Sequence, residues 1–155
     1  MSDADNIPWQ VLEFRELALR QLHDLFKLRV DVFVTEQKCP YGEIDGQDPE
    51  AVHVLGYDGE ELVAYARILP PHDDGLPHIG RVVTAASVRG KGLGKAVMHR
   101  AIKAVEELYG SPRNAIAAQA HLQGFYESLG YVRTSKEEYL WDDIPHVDMV
   151  LNAPA

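Results

Sequence analysis

Val88-Arg89-Gly90-Lys91-Gly92-Leu93-Gly94-Lys95-Ala96 sets three glycines within five residues, between an apolar run and an amphipathic one. Upstream, Ile79–Thr84 reads as a strand, and its Val82-Val83 pair suggests burial on both faces. Downstream, Leu93, Val97, Ala101, Ala104 and Leu108 form one stripe, widened by Met98, Ile102, Val105 and Tyr109. This predicts a helix from Gly92 to Tyr109, stopped by Gly110-Ser111-Pro112. The stretch is therefore a glycine-rich turn from strand to helix. Glycine lets the backbone take positive φ and lets a ligand approach without a Cβ in the way. The first-turn N–H groups point out of the helix with its positive dipole end behind them, a geometry that holds phosphate oxygens. Each dipole contact is worth only about 0.3–1 kcal/mol, so firm binding needs several amides and nearby bases. Three glycines at a helix start weaken the helix, which a plain connection would not require.

Two common phosphate motifs fail here. A P-loop needs G-x-x-x-x-G-K-[ST], but Arg89 stands at its first glycine and Ala96 follows Gly94-Lys95. A dinucleotide fingerprint needs G-x-G-x-x-G, and Gly94 comes one place early. What remains is R-x-x-G-x-G, over Arg89–Gly94. Lys91, Lys95, His99 and Lys103 follow at i, i+4 spacing. The first two are near enough to feel a pyrophosphate, and His99 and Lys103 read as a solvated face.

Working outward, Trp9–Phe14 reads as a first strand and Leu17–Thr35 as an amphipathic helix, on Leu22, Leu25, Phe26, Arg29, Val32 and Phe33. Cys39-Pro40-Tyr41-Gly42 stops that helix, and a polar loop runs to Glu50. Val52–Tyr57 and Leu62–Leu69 flank Asp58-Gly59-Glu60-Glu61 and predict a hairpin. Ala115–Ala120 is a short strand and Leu122–Leu129 a short helix closed by Gly130. Two last strands, Tyr131–Trp141 and Ile144–Leu151, join near Asp142-Asp143. No repeat, linker or low-complexity tract divides the chain, so residues 1–155 read as one mixed α/β domain with a hairpin and a strand–helix–strand crossover.

The 155 residues, 46% apolar and 25% charged, exclude a disordered chain, and no run approaches a membrane span. Met1–Asn6 is polar and acidic, unlike a secretory signal. A lone Cys39 excludes an internal disulfide and a multi-cysteine metal site. These points favour the cytoplasm. The net charge of −9 weighs against a nucleic-acid binder. Arg81–Lys103 nevertheless carries six Lys/Arg and no acid, while Glu36–Glu61 carries eight acids and one base. The charges read either as a positive field for a small polyanion and an acidic one for a cationic amine, or as two solvated surfaces.

Taken together, these motifs carry a resemblance. V-x-R-G-K-G-L-G-K-A after a strand resembles the acyl-CoA pyrophosphate loop of the GNAT superfamily of N-acetyltransferases. Ala118–Tyr131 is similar to that superfamily's second motif, ending in F-Y-x-x-x-G-[FY]. Leu28–Gln37, Cys39-Pro40-Tyr41, Val63–Pro71, Ala118–Gln123 and Ile144-Pro145-His146 resemble its ElaA-like branch, so the match runs from about Trp9 to Leu151.

The resemblance implies a GNAT-like acyl-CoA N-acyltransferase fold, with a central mixed, mostly antiparallel sheet flanked by helices. It implies acetyl transfer from acetyl-CoA to a primary amine, of a small molecule or a peptide, by direct attack in a ternary complex without a metal. Val82, Val83 and Thr84 would meet the pantetheine. The amides of Arg89, Gly90, Lys91, Gly92, Leu93 and Gly94, with Lys95 beside them, would take the pyrophosphate. Tyr126 would serve the departing sulfur. Glu36, Glu43, His53, His121 and His146 stay open as the base, and His121 reads equally as a cap for its helix. Cys39 lacks a neighbouring base and is not favoured as an acyl carrier. No membrane or nucleic-acid partner is expected; a homodimer stays open. The rival functions are a non-catalytic acyl-CoA sensor or interaction module, and an enzyme using another phosphorylated cofactor at the same turn.

Overall fold

The computed structural model describes residues 7–39 and 42–152. Met1–Asn6, Pro40 and Tyr41, on which some of the sequence readings rest, lie outside the described residues. The elements are β1 (Trp9–Glu13), α1 (Leu19–Arg29), β2 (Val52–Asp58), β3 (Glu61–Leu69), β4 (His78–Thr84), α2 (Leu93–Tyr109), β5 (Asn114–Gln119), α3 (Gln123–Ser128), β6 (Tyr131–Arg133), β7 (Tyr139–Trp141) and β8 (Ile144–Leu151). One sheet takes the order β1-β2-β3-β4-β5-β8-β6, with β7 also on β8. Every pair is antiparallel except β4–β5. Among the described residues no helix is long and apolar enough to cross a membrane.

The predicted hairpin forms with Asp58 opposite Glu61, and Gly59 takes φ +64 as the first turn residue. Leu62–Ile68 of β3 are all buried, so both faces of that strand are covered; α1 and α2 pack on it. The α2 stripe holds over its first three turns: Leu93, Val97, Met98, Ala101, Ala104 and Val105 are buried in the core with Val54, Val63, Tyr65 and Met149, whereas Leu108 and Tyr109, read into the same face, are exposed at the helix end.

Three features depart from the sequence reading. The first helix stays α-helical only to Arg29 and continues as π-helix over Val30–Glu36, where Cys39 N–H bonds Val34 C=O five residues back. The last long strand is broken. Thr134–Glu138 loops out between β6 and β7, held by Arg133, which donates to the carbonyls of Ser135 and Lys136. Finally, β4 has an extra residue. Tyr65 faces Val83 but Arg67 faces Gly80, and within that bulge Arg81 sits at φ +52.

β4 and β5 pair only at His78–Ala115, where Ala115 N–H also bonds Pro77 C=O at 3.0 Å. Beyond that point they part. β4 thus keeps a bare edge where most central strands have none.

The two oppositely charged sequence segments meet at two points, where Arg81 pairs with Glu43 and Asp45 and Arg89 pairs with Glu36, while Lys91, Lys95, Arg100 and Lys103 stay exposed. Arg29, fully buried on α1, donates to Glu43 Oε2 and Asp48 Oδ1, both at 2.7 Å. Arg67 bonds Asp45 at 2.6 Å and Asp48 at 3.1 Å, and Arg81 bonds Glu43 at 2.7 Å and Asp45 at 3.3 Å. Three guanidinium groups therefore staple the 43–48 loop to α1, β3 and β4. Truncating one partner leaves buried charge uncompensated. Arg29→Met is expected to lose about 3–5 kcal/mol of stability in urea unfolding.

Burial works against the charge of Asp45, but bonds from Arg67 and Gln47 N–H and the nearby Arg81 hold it well below the usual carboxylate range. Its contribution is therefore complete above its unfolded pKa of about 4, and is lost as pH falls through the folded value. Asp45→Asn should flatten the acid limb of stability below about pH 4, read from urea midpoints.

Candidate active site

The turn after β4 begins with a 3-10 segment, Ala86–Val88, and enters α2 through Gly92. Gly90 and Gly92 take φ +85 and +81, and a Cβ built on either meets nothing within 4 Å. The space before the loop is open. Arg89 N–H and Lys91 N–H close short turns onto Ala86 and Val88, at 3.5 and 3.3 Å, so these two are less available than the sequence reading had them. The amides of Gly90, Gly92, Leu93, Gly94 and Lys95 have no partner among the described residues. Lys91 and Lys95 are exposed and unpaired there, whereas the Arg89 side chain forms a two-pronged ion pair with Glu36, at the end of the π-helical stretch.

Before the loop, the parting of β4 and β5 opens a cleft of about 130 Å³. Val82 on β4, Gln119 at the end of β5, Tyr126 on α3 and His146 on β8 line it, with Phe33 and Cys39 from the π-helical side. Val83 is 4% exposed and faces Tyr65. Ala85 N–H bonds Val63 C=O, so by ladder alternation the backbone groups of Val83 turn to β3 and those of Thr84 turn to the bare edge. Of the expected pantetheine contacts, Val83 therefore serves the core, while Val82 and Thr84 face the gap. Val82 is only half-buried, which corrects the expectation of a pair covered on both faces.

Tyr126 is 8% exposed, with Phe125 edge-on at 5.1 Å and Tyr131 edge-on at 5.9 Å. Tyr131 is itself fixed by a 2.6 Å bond to Asn114. The Tyr126 hydroxyl has no partner among the described residues, and burial pushes its pKa up to about 12.

The five base candidates separate. Glu36 is held by Arg89, whose bond lowers its pKa. Glu43 reaches the cleft wall, but its Oε2 accepts from both Arg29 and Arg81. His53 is fully buried away from the cleft. Its Nε2–H donates to Asp48 C=O at 3.0 Å, which leaves Nδ1 to accept from Tyr65 OH at 2.6 Å. Burial lowers its pKa. His121 lies outside the cleft and does not cap α3, whose N-cap is Leu122. Only His146 lines the cleft with a nitrogen to spare. Its Nδ1–H donates to Ile144 C=O at 2.7 Å. The lone pair therefore sits on Nε2. Tyr139 stacks on its ring and Trp141 tilts against it. Cys39 Sγ donates to Asp142 C=O, which leaves it no base. Trp141, Gln119 and the Arg81 bulge belong to this site and were not assigned to it from the sequence; the bulge is set by register with β3, which no local pattern shows.

The two loop glycines nearest the helix start should behave oppositely. Gly92 holds left-handed backbone at φ +81. Gly92→Ala forces a side chain into that region and should cost about 1–2 kcal/mol. A Cβ on Gly94 meets only Phe125, at an ordinary 3.7 Å. Gly94→Ala also gains helix propensity, so it should be neutral or stabilising by up to about 1 kcal/mol. Urea unfolding of the pair checks the sign.

Residues 21–153 match the family model described as an acetyltransferase (GNAT) domain. The protein ElaA of Escherichia coli is 43% identical over 146 residues, covering 92% of this chain and 95% of that one. The crystal structure of an acyl-CoA N-acyltransferase from Pseudomonas aeruginosa superposes with a TM-score of 0.88 at 42% identity, over 93% of this chain and 98% of that one. An aminoglycoside 6'-N-acetyltransferase complexed with coenzyme A shares the fold at 18% identity, with a TM-score of 0.67 over 91% of this chain and 95% of that one. An open glycine turn before a helix, strands that part beyond one paired residue, and near-complete matches to these relatives lead to one assignment: the chain belongs to the GNAT acetyltransferase-domain family.

Proposed function

We propose that the chain works as a single domain that transfers an acetyl group from acetyl-CoA to a primary amine, by direct attack with both substrates bound. The observation that carries this reading is the continuity of two features along the bare edge of β4. The cleft with Tyr126 and His146 opens at Val82, and the unpartnered amides of Gly90, Gly92, Leu93, Gly94 and Lys95 follow beyond Thr84. Those amides, with Lys91 and Lys95, suit a diphosphate, and the free backbone edge of Thr84 and the Val82 wall suit pantetheine amides. Bound there, acetyl-CoA supplies an activated acyl group and a thiolate leaving group.

The protein must then manage two protons. A lysine-like amine of pKa about 10.4 costs roughly 4–5 kcal/mol to deprotonate at pH 7. His146 Nε2 is placed to accept that proton, directly or through a water. On the leaving side, burial holds Tyr126 at about 12. It cannot usefully protonate a free thiolate of pKa about 8.5, because full transfer would be uphill by roughly 5 kcal/mol. Its role is a hydrogen bond to sulfur as charge builds there.

Calorimetric titration with CoA should give saturable binding by wild type and at least about tenfold weaker binding by Gly94→Ala, which adds a side chain beside an unpartnered amide at the helix start without unfolding it. Tyr126→Phe should keep CoA affinity and lose about 10–1000-fold in kcat for acetyl transfer to an amine panel, followed by thiol release. Unchanged turnover would remove Tyr126 from the mechanism. Absence of CoA binding would remove the reading altogether.

A further inference from the structure

We propose that Glu43 and Arg81 form a clamp on the bulge of β4, and that this clamp, and no base chemistry of Glu43, sets the position of Val82 for the reaction. The inference rests on the proposed acetyl transfer for its kinetic consequence and on geometry for its existence. Arg81 holds φ +52, a region that a bulky side chain occupies only when its surroundings impose it. The imposing contacts are specific. Arg81 Nε donates to Glu43 Oε2 at 2.7 Å, and its Nη2 reaches Glu43 C=O and Asp45 Oδ2, both at 3.3 Å. Glu43 is in turn fixed by Arg29, whose Nε donates to the same Oε2 at 2.7 Å and whose Nη2 donates to the Glu43 carbonyl at 3.0 Å. Arg29 is fully buried at the end of α1, so the bulge is tied through two guanidinium groups to a rigid helix.

The clamp stands where its effect would be felt. Arg81 and Glu43 both line the cleft that holds Tyr126, Val82 and His146. Arg81 also lines a second opening, of about 570 Å³, with Asp45, Tyr139 and Trp141. Arg81 is thus part of a wall shared by two openings that meet at β4. Val82 follows Arg81 directly, so releasing the arginine lets the chain at Val82 shift. A displacement of about 1 Å at a reacting centre costs on the order of 10²-fold in rate. Glu43 is assigned the positioning role here because two arginines bond the same oxygen, Oε2, at 2.7 Å and tie the carboxylate to the wall.

Three variants test the clamp: Arg81→Gly, Arg81→Lys and Glu43→Gln. Glycine accepts the left-handed backbone, so Arg81→Gly keeps the bulge without strain while deleting the clamp. Its kcat for acetyl transfer from acetyl-CoA to hydroxylamine should fall about 10–100-fold, and its CoA affinity by calorimetry should fall by less than kcat, since the shifted Val82 touches only the pantetheine and the phosphate loop is untouched. Arg81→Lys, which keeps the charge but not the fork, should fall between the two. Glu43→Gln should lose kcat with the pH profile unchanged in shape, and combining it with Arg81→Gly should add little further loss. The Val82 amide in a ¹H–¹⁵N spectrum without CoA should be one sharp peak in wild type and broadened or doubled in Arg81→Gly.

Wild-type turnover in Arg81→Gly, or loss of a pH limb in Glu43→Gln, would overturn the clamp. If wild type fails to bind CoA, the acetyl-transfer reading falls. The Val82 amide then decides the clamp alone, and an unchanged peak in Arg81→Gly refutes it.

Discussion

Two neighbouring strands that share one paired residue and then separate leave an edge of backbone donors and acceptors with no sheet to satisfy them. The molecule is arranged around that edge. β3 is buried on both faces and anchors β4 from one side, so β4 cannot swing to follow β5. β8 holds β5 along six consecutive register pairs, so β5 cannot swing back. The gap is therefore rigid. Everything with chemical potential gathers along it: the π-helical wall, Tyr126, His146, Val82 and, past Thr84, the glycine turn.

The buried charge network explains how a sheet with such a gap stays in register. Three arginines from three elements converge on three acids of one loop. Such a network is a poor source of net stability. Desolvation consumes most of the Coulomb gain, and Asp48 Oδ2 and Arg67 Nε are left without partners among the described residues. Its effect is geometric. The 43–48 loop could not otherwise lie against α1, β3 and β4 at once, and each guanidinium fork accepts only a narrow set of carboxylate positions. Of the eight acids that in the sequence could have drawn a cationic substrate, Glu43, Asp45 and Asp48 are thus engaged in holding the site's wall.

How much of this was legible depended on the range of the interaction involved. The hairpin at Gly59, the α2 stripe and the glycine turn are local, and each was read from residues within one or two turns of each other. Arg29 was read correctly as part of the inward face of its helix, but nothing local says that its partners lie 14 and 19 residues on. The bulge at Arg81 depends on register with β3, and a run of valines gives no sign of an extra residue. The π-helical continuation preserves an apolar pattern that an α-helix would also satisfy. The break at Thr134–Glu138 was visible as a polar run, yet aromatic residues on either side made a single strand the simpler reading. For the site, the sequence offered five bases of equal standing. Hydrogen bonds across long sequence separations and placement relative to the cleft set His146 apart from the other four, and no spacing rule could have done so.

On the proposed reaction, the two halves of the site contribute in different ways. Amides at the glycine turn hold a diphosphate that does not change during acyl transfer, so they bind ground state and transition state alike and raise occupancy more than turnover. Tyr126 is the opposite case. A phenol pushed to about 12 by burial is a stable donor with no tendency to lose its proton. It faces a thioester sulfur that accepts weakly until it becomes a thiolate. Its bond would strengthen only as the C–S bond breaks, and the edge-on Phe125 and Tyr131 rings hold it in place for that moment. On that reading, the same burial that makes the tyrosine a poor acid would make it a selective stabiliser of the leaving group. The chain brings this about by packing aromatic rings beside the gap, while the charged groups it uses so freely elsewhere are kept for the wall.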